Sequence, residues 1–188
     1  QNEAITGFNE QRDEIRKAAK DIQTFVSLTT FNQDVETPVF NSPVDSVPAL
    51  STDSYKPDGM TAMYDAVGST IQKAQKEIKD IDSKNSSVLF VVISDGMENA
   101  SHKFTSKELA ELIQERQKTG RWTFTYIGAN QDLTKITNLS IPVGNTTAFV
   151  ATQDGLNVAT RSVTTGIKGY FTRVGTGASQ TMSFYKLS

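Results

Sequence analysis

Two short segments hold the oxygen-bearing side chains that could do chemistry. PDGMTAMYDAVG, Pro57 to Gly68, sets Gly59 and Met60 before Thr61, with Asp65 one helical turn further on. VVISDGMENAS, Val91 to Ser101, closes an apolar run with Ser94, Asp95 and Gly96, followed by Glu98 and Asn99. Each residue also has an ordinary structural use. Ser-Asp-Gly is a common turn after a strand. Thr61 suits the first turn of a helix, and a carboxylate at Asp65 is favoured there by the helix dipole. Glu98 and Asn99 suit a solvated loop. Met60 and Met63 read as core filler, and Trp122 as packing at a strand start. His102 is the only histidine, so a catalytic triad has a single candidate, in a charged loop with no nucleophile placed for it. Asp95 and Glu98 lie too close in one loop to form a hydrolase's facing carboxylate pair. A Walker-type phosphate loop is absent, and Gly175-Thr176-Gly177 lacks the strand-to-helix setting of a dinucleotide fingerprint.

The elements that must position these residues follow from periodicity. Residues 1–22 read as an amphipathic helix, with Ile5, Phe8, Ile15 and Ile22 on one stripe. Thr24 to Phe31 is rich in β-branched and aromatic residues and reads as a strand. Val35 to Phe40 reads as a second, joined by the turn Asn32-Gln33-Asp34; Pro38 assigns it to an edge. Residues 41–60 carry proline, serine and aspartate and read as a loop. A helix begins near Thr61, with Met63, Val67, Ile71, Ala74 and Ile78 on one face. Val88 to Ile93, VLFVVI, is apolar without alternation, which predicts a central strand buried on both faces. Thr105 and Glu108 form a capping box for a helix ending near Gly120. Trp122 to Ile127 is a strand, Gly128 to Asp132 leads to a short helix before Pro142, and Thr146 to Val150 is an edge strand. Asp154 opens a last helix to about Arg173. The division expected is one domain over residues 1–174, then a tail or short extra strand over 175–188.

This order predicts an α/β fold with a mostly parallel sheet and helices on both faces. Ligand sites in such folds lie at the carboxyl ends of strands, which is where the two oxygen-rich segments fall.

The composition narrows the function classes. The chain has 188 residues, 37% of them hydrophobic, enough for one full core. It has no cysteine, which removes disulfides, thiolate metal sites and cysteine nucleophiles. The same absence suits a reducing cytoplasm and a virion alike. With 19 Lys+Arg against 21 Asp+Glu there is no basic excess to bind a phosphate backbone, so no nucleic-acid partner is expected. No apolar run approaches the roughly 18 residues of a membrane span.

GMT at Gly59 to Thr61 and SDG at Ser94 to Gly96, in that order, resemble a von Willebrand factor A (vWA) domain. The resemblance is strongest to its bacterial and phage branch. GFNEQR near the start and YIGANQD, Tyr126 to Asp132, extend the likeness over nearly the whole chain. The resemblance implies a Rossmann-like fold with one antiparallel edge strand. It also implies part of a metal-ion-dependent adhesion site for Mg²⁺ or Mn²⁺, with Thr61 and Asp95 as ligands. Mg²⁺ prefers oxygen ligands in near-octahedral geometry, which a hydroxyl and a carboxylate suit. Gly59, Ser94, Gly96, Glu98 and Asn99 are then candidates for supporting the ligands or touching a partner. An acidic side chain from a protein partner would complete the metal shell, so the implied role is binding and not catalysis.

One family feature is missing. The Asp-x-Ser-x-Ser motif that ends the family's first strand does not occur; Asp21, Asp45 and Asp53 all lack its spacing. Residue 1 is Gln, and the expectation is that an upstream strand is absent, one that would lie between TFVSLTTF and VLFVVI. The expected function is a vWA-type protein-binding module using a partial Mg²⁺ site. The alternative is a metal-free, degenerate vWA scaffold serving as a structural subunit, for example in a virion, where self-association would follow. A metal-assisted hydrolase lacks a general base near any nucleophile.

Overall fold

The computed structural model describes residues 2–53, 59–94, 96–129, 133, 136, 138–150 and 152–185. Within them the chain is an α/β protein with two sheets. Helix α1 (Asn2–Ala18) is followed by strands β1 (Phe25–Phe31) and β2 (Val35–Pro43), which pair antiparallel. Helix α2 (Met63–Glu77) leads into β3 (Val88–Ser94), α3 (Ser106–Lys118) and β4 (Trp122–Ala129). Then come β5 (Thr146–Phe149) and α4 (Gln153–Gly175). Strands β3, β4 and β5 form a parallel sheet in that order, in continuous register from Val88 opposite Trp122 to Ser94 opposite Gly128.

Helix starts are fixed locally where the sequence supplies a cap. The Thr105 hydroxyl accepts from the Glu108 N–H while the Glu108 carboxylate accepts from the Thr105 N–H, the capping box predicted for α3. For α4 the capping side chain is Thr152, accepting from Gly155 N–H, so the helix starts just before Asp154. Helix α2 differs. Its N-cap is Ala62, which has no side chain to offer, so its first N–H groups must find acceptors elsewhere.

The core lies on both faces of the parallel sheet. On one face Met63, Val67 and Ile71 of α2 and Leu109 and Ile113 of α3 pack on Trp122, Phe124 and Tyr126. On the other, Ala159, Val163, Ile167 and Tyr170 of α4 pack on Ile127, with Leu89 and Val91 of β3 and Ile15 of α1 against them.

Strand β3 corrects one expectation. VLFVVI was to be central and buried on both faces. Instead β4 is the central strand, buried at every position, and β3 is an edge. Most of β3 is only half-buried, and Ile93 is 43% exposed. The physical reason is pairing: among the described residues β3 has a hydrogen-bonded neighbour on one side only.

The segment after α4 is neither a loose tail nor a ladder strand as far as residue 185. Thr181 N–H donates to Thr123 Oγ1, Phe184 N–H donates to Asn145 Oδ1, and Asn145 Nδ2 donates to the carbonyls of Phe124 and Thr181. Phe184 is fully buried against Gly166 of α4.

Candidate functional site

The two oxygen-rich segments meet at the carboxyl end of β3. Thr61 N–H donates to Asn99 Oδ1 at 2.8 Å, and Asn99 N–H donates to the Thr61 carbonyl at 3.0 Å. The Thr61 hydroxyl lies directly against the Gly96 backbone, so a Cβ at position 96 would collide with it. Ser94 is buried inside the turn, its hydroxyl donating to the Gly96 carbonyl at 2.9 Å. Asp95 lies outside the described residues, as do Pro57 and Asp58 of the first segment. Its neighbours on both sides are described, and Gly96 is the one in contact with Thr61.

The missing cap of α2 explains why these segments are joined. Glu98 turns its carboxylate toward the helix start, where Oε2 accepts from Tyr64 N–H at 2.9 Å and from the Ser101 hydroxyl. Oε1 accepts from the N–H groups of Ala100 and Ser101. Ser101 Oγ in turn accepts from Asp65 N–H at 3.1 Å. The helix is thus capped by the loop after β3.

Asp65 completes the lock in the other direction. Its side chain is buried and accepts N–H bonds from His102, Lys103 and Phe104, each at 2.9 Å. Burial alone would push the Asp65 carboxyl up; the three backbone donors outweigh it and hold the group below the ordinary carboxylate range. Sequence reasoning gave Asp65 only a helix-dipole role. The signal that could have found it is the capless Ala62, which requires an outside partner for the helix start.

The arrangement assigns distinct jobs. Glu98 and Asp65 hold the loop, with both oxygens of each occupied by donors. Asn99 holds the Thr61 backbone through a side chain otherwise exposed to solvent. Thr61 is left as the described side chain whose oxygen sits beside the Ser94–Gly96 turn. Gly59 is exposed, with φ of 79°, a left-handed turn that glycine adopts without strain. Met60 does not fill the core: it is 48% exposed, and Met97 is 63% exposed, so the residues beside Thr61 and Gly96 are both apolar and open. Met63 is buried. The His102 side chain is exposed and Trp122 is fully buried, donating from Nε1 to Asp82 at 2.6 Å.

As a metal-binding set, the described donors are hard oxygens, the type Mg²⁺ takes. Thr61 Oγ1 lies against Gly96, and among the described residues no three His, Asp or Glu side chains gather into a cluster. No helix among the described residues is long and apolar enough to cross a membrane. No protein-family model matches the sequence, and no curated protein matches it.

Proposed function

We propose that this chain is a protein-binding module of the vWA type, engaging its partner at the carboxyl end of β3. Thr61 and Asp95 would hold Mg²⁺ or Mn²⁺ there, leaving an open position for a carboxylate of the partner. The observation that supports this reading is the reciprocal Thr61–Asn99 clamp. It brings the GMT and SDG segments, 35 positions apart by their numbering at Thr61 and Gly96, into direct contact. A hydroxyl lying against Gly96, next to Asp95 in the sequence, would supply one oxygen of an oxygen-ligated site. Exposed Met60 and Met97 flank it and would give a partner apolar contact around the polar centre.

A second reading has its own support. Glu98 and Asp65 hold the loop through backbone N–H groups and the Ser101 hydroxyl, so its shape needs no metal. A metal-free scaffold within a larger assembly is consistent with that. Calorimetric titration of Mg²⁺ and Mn²⁺ separates the two. The module reading expects saturable binding that Thr61→Ala and Asp95→Ala each weaken by about tenfold or more. Equal heats for the parent and both variants, together with a stable metal-free oligomer by native mass spectrometry, would favour the scaffold.

A further inference from the structure

The orientation of the Asn99 side chain is settled by what it touches. A backbone N–H only donates, so the atom facing Thr61 N–H at 2.8 Å is the amide oxygen. The amide nitrogen then points away from that bond. Asn99 N–H donates to the Thr61 carbonyl at the same time, so residue 99 is held at two points. Its Nδ2 is a donor fixed in place before any ligand arrives.

That donor is idle. Among the described residues Nδ2 meets no acceptor, and the side chain is exposed. The neighbouring side chains are committed elsewhere. Both oxygens of Glu98 accept hydrogen bonds, Ser101 Oγ links Glu98 to Asp65, and the Ser94 hydroxyl donates to the Gly96 carbonyl. Holding Thr61 takes only the oxygen of Asn99. An aspartate would make the same bond, so the two N–H groups of the amide add something the fold does not use.

The donor is also close to the candidate ligand. The 2.8 Å bond and about 2.3 Å across the amide place Nδ2 within about 5 Å of Thr61 N. The Thr61 hydroxyl, which lies against Gly96, makes no hydrogen bond among the described residues either. A fixed N–H donor and a free hydroxyl oxygen thus stand within the span of one small ligand group.

We propose that Asn99 is a specificity-determining residue of this surface, donating from Nδ2 to one oxygen of a partner's carboxylate while the other oxygen meets the cation. This rests on the divalent-cation reading of Thr61 given above and adds to it the group that tells one partner side chain from another. Asp and Glu offer two oxygens and a negative charge, so one group can satisfy the cation and the amide together. Asn and Gln offer one oxygen, and their own NH₂ would face Nδ2 donor to donor. Lys and Arg have no acceptor at all. Asn99 therefore selects a carboxylate over its neutral isostere, and clamping Thr61 is what aims it.

The test uses the full chain with Mn²⁺, acetate as the carboxylate probe and acetamide as its neutral counterpart. Mn²⁺ binding is read from the electron paramagnetic resonance of the free ion, and acetate binding from relaxation of its methyl protons. Asn99→Asp keeps the acceptor for Thr61 N–H and has no donor. Asn99→Ser adds no charge and is too short to reach the ligand. The parent should prefer acetate to acetamide, and both variants should still bind Mn²⁺ yet hold acetate about tenfold more weakly. Parent-like acetate binding in Asn99→Asp would overturn the proposal, because residue 99 would then act only by holding Thr61. Parent-like binding in Asn99→Ser would also overturn it, because the loss in Asn99→Asp would then be charge repulsion. If the parent binds no Mn²⁺, the cation reading fails and the proposal falls with it; Mn²⁺ binding with no preference for acetate overturns the proposal and leaves that reading standing.

Discussion

Thr61 and Asn99 hold each other by a reciprocal pair of hydrogen bonds, 2.8 Å and 3.0 Å long, across the carboxyl end of β3. One is made by the Asn99 side chain and the other by its backbone, so the two can be separated by substitution. Asn99→Ala removes only the bond to Thr61 N–H. The expected loss is about 1 kcal/mol, a fall in Tm of roughly 2–4 °C for a domain of this size. Thermal denaturation measures it. Asn99→Asp keeps an acceptor and should recover most of the stability.

Gly96→Ala places a methyl group against the Thr61 hydroxyl. Thr61 must move, at an expected cost of about 1–3 kcal/mol. Gly96→Ala combined with Thr61→Ser keeps the hydroxyl and removes the threonine methyl, and should not restore the parent stability. Combination with Thr61→Ala, which removes the opposing oxygen, should restore most of it. Urea denaturation of the set reads the coupling. Additive losses would show that the two residues do not press on one another.

Asp65 gives a pH signature. Its folded carboxyl is below the ordinary range, so it binds fewer protons folded than unfolded in acid. The stability it contributes is fully present above the unfolded value near 3.9, and is lost as pH falls through the lower folded value. Asp65→Asn should therefore cost about 2 kcal/mol at neutral pH, from weakened bonds to the N–H groups of residues 102–104. The gap between parent and variant should narrow below about pH 4. A gap constant from pH 7 to pH 3 would contradict this reading.

Phe184 anchors the segment that follows α4. Phe184→Ala opens a cavity between that segment and Gly166, and should cost about 3–5 kcal/mol. Met182→Ala, at an exposed neighbour, should stay within about 0.5 kcal/mol of the parent. Equal effects of the two would mean that residues beyond α4 contribute little to the fold.

Local signals in the sequence located most elements, because local physics determines them. The Thr105–Glu108 box marks α3, and the apolar stripe through Met63, Val67 and Ile71 marks α2. Pro38 placed β2 at an edge, where it lies. What the sequence did not reveal depends on partners distant along the chain. VLFVVI has the composition of a central strand, yet composition cannot say whether both neighbours are present. Glu98 and Asp65 look like loop and helix-start carboxylates; their bonds span 34 to 39 residues, with no local pattern to announce them. The Gly- and Thr-rich segment after α4 read as a tail because its order comes from Asn145 and Thr123, not from its own periodicity.

Thr61, lying against Gly96, is proposed as part of a divalent-cation site. Mn²⁺ tests it most directly, because its paramagnetism broadens the NMR signals of nearby amides. Low Mn²⁺ is expected to broaden the Thr61 and Gly96 amides first, excess Mg²⁺ to reverse this, and Thr61→Ala to weaken it by about tenfold or more. Broadening centred elsewhere, or unchanged in both Thr61→Ala and Asp95→Ala, would contradict it.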